Sequence, residues 1–158
     1  MLAFDTKGNL LQERLLRAGT AVVRPGSGAI RCMERLSAAE AAAREAGAGL
    51  WLTPGIVAKA TDPTSLSARV GLYALAEGRI VSVGYGSRMV FLDFGRSFRT
   101  DFTVMVQQSL VPRLLEAGIA VDSLQGRVVR VRGVIEESGG PAIRLTDPLA
   151  LEILDRAE

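Results

Sequence analysis

The apolar positions change their rhythm part-way along the chain. In the first fifty residues they recur at helical spacing, and after residue 69 they alternate or run together as strands do. Leu2–Asp5 reads as a short strand, turned by Lys7-Gly8. Asn9 with Gln12 three residues on reads as a helix cap, and Leu11, Leu15 and Ala18 share the face of a helix that Gly19 ends. Thr20–Arg24 reads as a second strand, closed by Pro25-Gly26-Ser27-Gly28. A longer helix is expected from Ile30 to Ala46, with Cys32, Leu36, Ala39, Ala43 and Ala46 on one face. Glu40 and Arg44 should pair on the other.

The stretch 53–68 holds Pro54, Gly55, Asp62 and Pro63 and reads as a linker. Beyond it come Arg69–Val83, Ser87–Phe94 and Thr100–Gln107 as strands, Ser109–Ala117 as a short helix, and Gly126–Glu136 as a fourth strand. Pro141–Leu145 with Leu149–Leu154 forms an interrupted fifth. Three strands, a helix, then two strands is the order of a five-stranded Greek-key OB barrel. The expected organisation is therefore α+β: an N-terminal strand-helix-strand-helix segment over residues 1–52, a linker over 53–68, and an OB-fold domain over 69–158.

Composition narrows the chemistry. The 158 residues include one cysteine and no histidine. Ser-His-Asp and Cys-His catalysis, histidine switches and structural zinc sites are thereby excluded, and no metal or cofactor is expected. Cys32 reads as a small buried hydrophobe. Formal net charge is +2. Residues 1–68 hold eight basic and six acidic groups, and residues 69–158 hold eleven of each. Neither part carries the dense cationic field of a strong nucleic-acid binder. No apolar run reaches membrane-spanning length. The start, Met1-Leu2-Ala3-Phe4-Asp5, has no signal-peptide pattern, so the expected location is cytoplasmic if Met1 begins the protein.

The N-terminal segment resembles the C-terminal part of the staphylococcal (micrococcal) nuclease family. The resemblance rests on Leu2-Ala3, Gly8-Asn9, Leu15-Leu16, Gly19, Ala21, Leu36, Ala39-Glu40, Ala43-Arg44 and Gly49-Leu50-Trp51. It implies descent from Ca²⁺-dependent phosphodiesterases built on an OB barrel. Their acidic metal ligands, glutamate base and two arginines lie ahead of the matching part, the second arginine falling just before Leu2-Ala3. No catalytic position of the family maps onto this chain, so the resemblance implies no activity for it. An active nuclease whose barrel lies upstream of Met1 is the enzymatic alternative. Residues 69–156 resemble OB-fold nucleic-acid-binding domains, including those appended to nuclease-like domains in bacterial proteins. Here Val90–Gly95, Asp101–Val104, Gly126–Gly133 and Pro141–Glu152 carry the likeness.

OB domains bind ligands on strands 2 and 3 and the adjoining loops. Tyr85, Arg88, Arg96, Phe98 and Arg99 lie on two such loops. Pairing Phe94 with Thr100 sets Leu92 opposite Phe102 and Val90 opposite Val104 on a core face. On the outer face Met89 then meets Met105, Phe91 meets Thr103, and Asp93 meets Asp101, a like-charge pair that calls for an arginine bridge. Phe91 either stacks a base or is covered by the N-terminal helices. Arg130 and Arg132 either touch phosphates or lie on a solvated strand face with cross-strand partners such as Asp or Glu. Residues 69–113 are net +3 and residues 114–158 net −3. A single-stranded nucleic acid should thus be bound weakly on the first three strands. A module that binds protein only is the second alternative. Leu11, Leu15, Leu36 and Trp51 must bury against something, which points to a homodimer.

Overall fold

The computed structural model describes residues 3–26, 30–97 and 99–155, the side chains of residues 30 and 31 excepted. Leu2, Ser27-Gly28 and Phe98 lie outside the described residues. The chain divides into two compact units, Met1–Ile56 and Val57–Glu158.

In the first unit helix α1 (Leu11–Arg17) packs on helix α2 (Ile30–Glu45). Leu10, Leu16, Val23, Met33, Leu36 and Ala39 form the core between them. Neither expected strand is present as a strand. Phe4 makes a single antiparallel bridge to Leu10, and residues 20–24 belong to no strand. The physical reason is visible in α2. Glu40, expected on the exposed side, is 1% exposed, and its carboxylate accepts from the Val23 backbone N–H at 2.5 Å. A side chain therefore satisfies a donor that a strand would have used. Arg44 lies 3.6 Å from the same carboxylate, as the i,i+4 spacing predicts. Asn9 is not the cap of α1, since Leu10 holds that position. Asn9 instead donates its backbone N–H and its amide to Asp5, at 2.8 and 3.0 Å. Gly19, at φ +67°, follows the C-cap of α1 at a point where a Cβ would lie 2.0 Å from the Ala48 carbonyl oxygen.

The second unit begins inside the expected linker. β1 (Val57–Lys59) and α3 (Pro63–Ser67) belong to it. Asp62 caps α3, accepting from Ser65 N–H at 3.0 Å, and Pro63 occupies the first helical position, where its missing N–H costs nothing. Leu66 is fully buried in the barrel core. β2 (Tyr73–Arg79) and β3 (Ser82–Tyr85) are the two halves of one bent strand. β4 (Met89–Asp93) and β5 (Thr103–Gln107) follow as a meander. After α4 (Val111–Glu116) come β6 (Val128–Glu137), β7 (Pro141–Leu145) and β8 (Leu151–Ile153).

The pairings run β2–β6–β7–β5–β4–β3, with β5 and β7 parallel. The bend joins the two ends of that path. Ile80 exchanges backbone hydrogen bonds with Arg127 and Gly126 on one side, and Val81 donates to Asp93 on the other. The sheet thus closes on itself through its own first strand, which is the OB barrel. β1 adds parallel to β2 and β8 antiparallel to β6. Val90, Leu92, Val104, Ile135 and Ile143 point inward, and α4 sends Leu114 into the same core.

The β4–β5 register departs from the expected one by two residues. Leu92 lies opposite Val104, Phe91 opposite Met105, and Asp93 opposite Thr103. The loop extends to Phe102 because Phe94 and Phe102 both turn into the core, with ring centroids 5.1 Å apart. Asp101 is drawn into that loop, accepting from the Ser97 N–H at 2.8 Å, so it never faces Asp93. An even shift leaves every side chain on its expected face, so the inward residues are those expected.

Candidate functional site

Strand alternation places Phe91 and Asp93 on the outer face of β4 because Val90 and Leu92 face the core. Register then fixes their neighbours. Gly84, Phe91, Met105 and Arg144 form one row across β3, β4, β5 and β7; Ser82, Asp93, Thr103 and Ala142 form the next. A groove of about 400 Å³ lies along these rows. Tyr85, at the β3–β4 turn, and Ser138, in the β6–β7 turn, line its two sides. This is the strand 2–3 face between the two loops that OB folds use for ligands.

The floor is aromatic by construction. Gly84 and Gly86 flank Tyr85 and leave room for the half-buried Phe91 ring. A Cβ on Gly86 would lie 3.2 Å from that ring. Tyr85 is 60% exposed and its hydroxyl donates to the Asp122 carboxylate. That hydrogen bond, with partial burial and the adjacent negative charge, pushes the Tyr85 phenol above its ordinary range. Asp93 sits beside Phe91 in the floor. Its Oδ1 accepts from the Thr103 hydroxyl at 2.8 Å, and its Oδ2 from the Ser82 hydroxyl at 3.4 Å.

The expected site residues separate into three groups. Tyr85 and Phe91 come together in the groove. Arg88 is exposed in the β3–β4 turn, and Arg96 and Arg99 are exposed in the β4–β5 loop at the other end of β4. The β6–β7 turn meets that loop closely, since a Cβ on Gly140 would lie 2.8 Å from the Asp101 carbonyl oxygen. Arg130 and Arg132 do not belong to the site. They are 7% and 8% exposed on β6. Arg130 is held between Glu77 of β2 at 2.5 Å and Glu152 of β8 at 2.8 Å, the cross-strand carboxylates that occupy its donors.

Sequence reasoning missed Asp93 and Met105 as groove residues, and Arg144, which pairs with Glu136 at 3.4 Å beside the groove. Their signal was available in the outward parity they share with Phe91. Among the described residues no cluster of three or more His, Cys, Asp or Glu is placed to hold a metal ion, and no helix is long and apolar enough to cross a membrane.

No family model matches this sequence, and no curated protein does. Solved structures do match part of it. The OBody AM1L10, solved bound to hen egg-white lysozyme, is 20% identical over 56% of this chain and 85% of its own, with a TM-score of 0.41. Asparaginyl-tRNA synthetase from Pyrococcus horikoshii is 16% identical over 57% of this chain and 21% of its own, at 0.42. Aspartyl tRNA synthetase from Entamoeba histolytica is 16% identical over 68% of this chain and 23% of its own, at 0.43. The barrel assignment itself rests on the strand order and closure described above.

Proposed function

We propose that this chain binds single-stranded nucleic acid, weakly, through the outer groove of its OB barrel, and does not cleave it. The observation that carries the reading is Phe91, half-buried in the groove beside Gly84 and Gly86 on the strand 2–3 face between two loops. An aromatic surface there stacks a base whatever its identity. Arg88 at one end, with Arg96 and Arg99 at the other, supplies positive charge for a backbone crossing the groove. The nuclease resemblance of the first unit enters as ancestry.

Titration of a labelled single-stranded oligonucleotide at low salt tests the reading. Binding should be detectable, and Phe91→Ala should weaken it about tenfold, the effect of one lost stacking contact. Incubation with Ca²⁺ should leave the oligonucleotide intact. Chelator-sensitive cleavage that survives re-purification would return the chain to the enzymes. Absence of binding at low salt, with a folded protein, would hand the groove to a protein ligand.

A further inference from the structure

Asp93 is an anomaly in a groove read as a polyanion site. Its carboxylate lies in the floor, half-buried, and its contacts are two hydroxyls rather than a cation. Arg88, Arg96 and Arg99 stand on the loops, and Arg144, on β7, pairs with Glu136. A phosphate placed over this carboxylate would be repelled, so whatever occupies the floor must be the part of the ligand that donates hydrogen bonds.

We propose that Asp93 reads guanine, accepting hydrogen bonds from its Watson–Crick edge while the ring stacks on Phe91; this rests on the nucleic-acid reading of the groove. Three features of the groove fit together. First, the two hydroxyls fix the plane of the carboxylate, one on each oxygen, and a carboxylate has about four acceptor positions, so each oxygen keeps room for another donor. Second, Phe91 and Asp93 are two residues apart on one strand face, about 7 Å, which a base stacked on the ring spans with its edge. Third, two parallel acceptors match two adjacent donors. Guanine offers these at N1–H and the 2-amino group. Cytosine and adenine each set one amino group beside an acceptor nitrogen, and thymine sets its N–H between two carbonyls. Bases splayed from a single strand expose this edge.

The experiment uses the full chain and short thymidine oligonucleotides that carry at their centre guanine, inosine, adenine, cytosine or thymine. The guanine oligonucleotide should bind about tenfold tighter than the thymine one, the discrimination of one bidentate pair. Inosine lacks only the 2-amino group and should lose most of that advantage in the unaltered protein, where folding is not in question. Asp93→Asn should lose the guanine preference and bind the guanine and thymine oligonucleotides alike. Equal binding of all five by the parent overturns the Asp93 inference and leaves the stacking groove standing. Binding of none overturns both.

Discussion

Two outer faces of the same barrel carry arginines, and they treat them in opposite ways. On β6, Arg130 is 7% exposed and lies in register with Glu77 on one side and Glu152 on the other. Around the groove, Arg88, Arg96 and Arg99 are exposed on turns, while the acid, Asp93, lies in the floor on hydroxyls. The β6 arginine has spent its donors on neighbouring strands and serves the fold. The loop arginines face solvent, where a phosphate can meet them. Strand position sets the role of Arg130, which the ladder places between carboxylates from 53 and 22 residues away, whereas Arg88, Arg96 and Arg99 stand exposed on turns.

The sharpest way to break this contrast is to remove Arg130. Arg130→Ala leaves Glu77 and Glu152 flanking an empty strand position, both only partly solvated. The expected loss is about 2 kcal/mol, since the buried guanidinium's charge-assisted hydrogen bonds are lost and two carboxylates are left without the cation between them. A urea titration should show it as a lower midpoint. Oligonucleotide affinity per folded molecule should stay at the parent's value. Arg130→Met keeps the packing of the side-chain stem and should recover part of the stability. If Arg130→Ala instead keeps its stability and loses binding, the two faces have been assigned the wrong way round.

The same contrast explains what could be read from the chain. Strand order, the helix between the third and fourth barrel strands, and the inward residues of β4 and β5 follow from alternation, which is local. The partners of Arg130 do not, because Glu77 and Glu152 reach it only through the closed barrel. β1 and α3 were hidden for another reason. Three and five residues are too short to show a period, and Asp62-Pro63 reads as a turn until Asp62 is seen capping a helix. In the first unit, residues 20–24 have strand composition, and only the buried Glu40 reveals that the Val23 N–H is satisfied by a side chain. Within the groove, Phe91 and Tyr85 were legible as outward aromatics. Asp93 was hidden by a register two residues off, which set it against Asp101 instead of Thr103.

The loop arginines sharpen the comparison from the binding side. Three or four phosphate contacts to a single strand give a log–log salt slope of about −2 to −3. Arg96→Ala with Arg99→Ala should flatten that slope by roughly one unit, lower affinity at low salt, and leave the urea midpoint where it was. These side chains are exposed, so their loss costs the fold little. A double variant with the parent's slope would move the phosphate path away from the β4–β5 loop, leaving Arg88 and Arg144 to carry it.

The smallest effect belongs to the groove wall. Tyr85 is fixed by its hydroxyl's hydrogen bond to Asp122, and that bond raises the phenol's pKa above its ordinary 10.0. A raised pKa in the folded state means that the native protein holds this proton more tightly than the unfolded chain. The associated stability is therefore present below pH 10 and lost as the pH climbs through the folded-state value. Asp122→Asn removes the negative charge and the strongest acceptor. The Tyr85 transition, followed by tyrosinate absorbance and assigned by difference against Tyr85→Phe, should move down towards the ordinary range. The alkaline fall in stability should shrink with it. Freed from Asp122, Tyr85 samples more rotamers at the groove edge, and oligonucleotide affinity at neutral pH should drop by about twofold, the cost of ordering one more side chain on binding. Should the transition stay where it is in Asp122→Asn, the phenol is held by burial rather than by that carboxylate, and the wall of the groove is rigid without it.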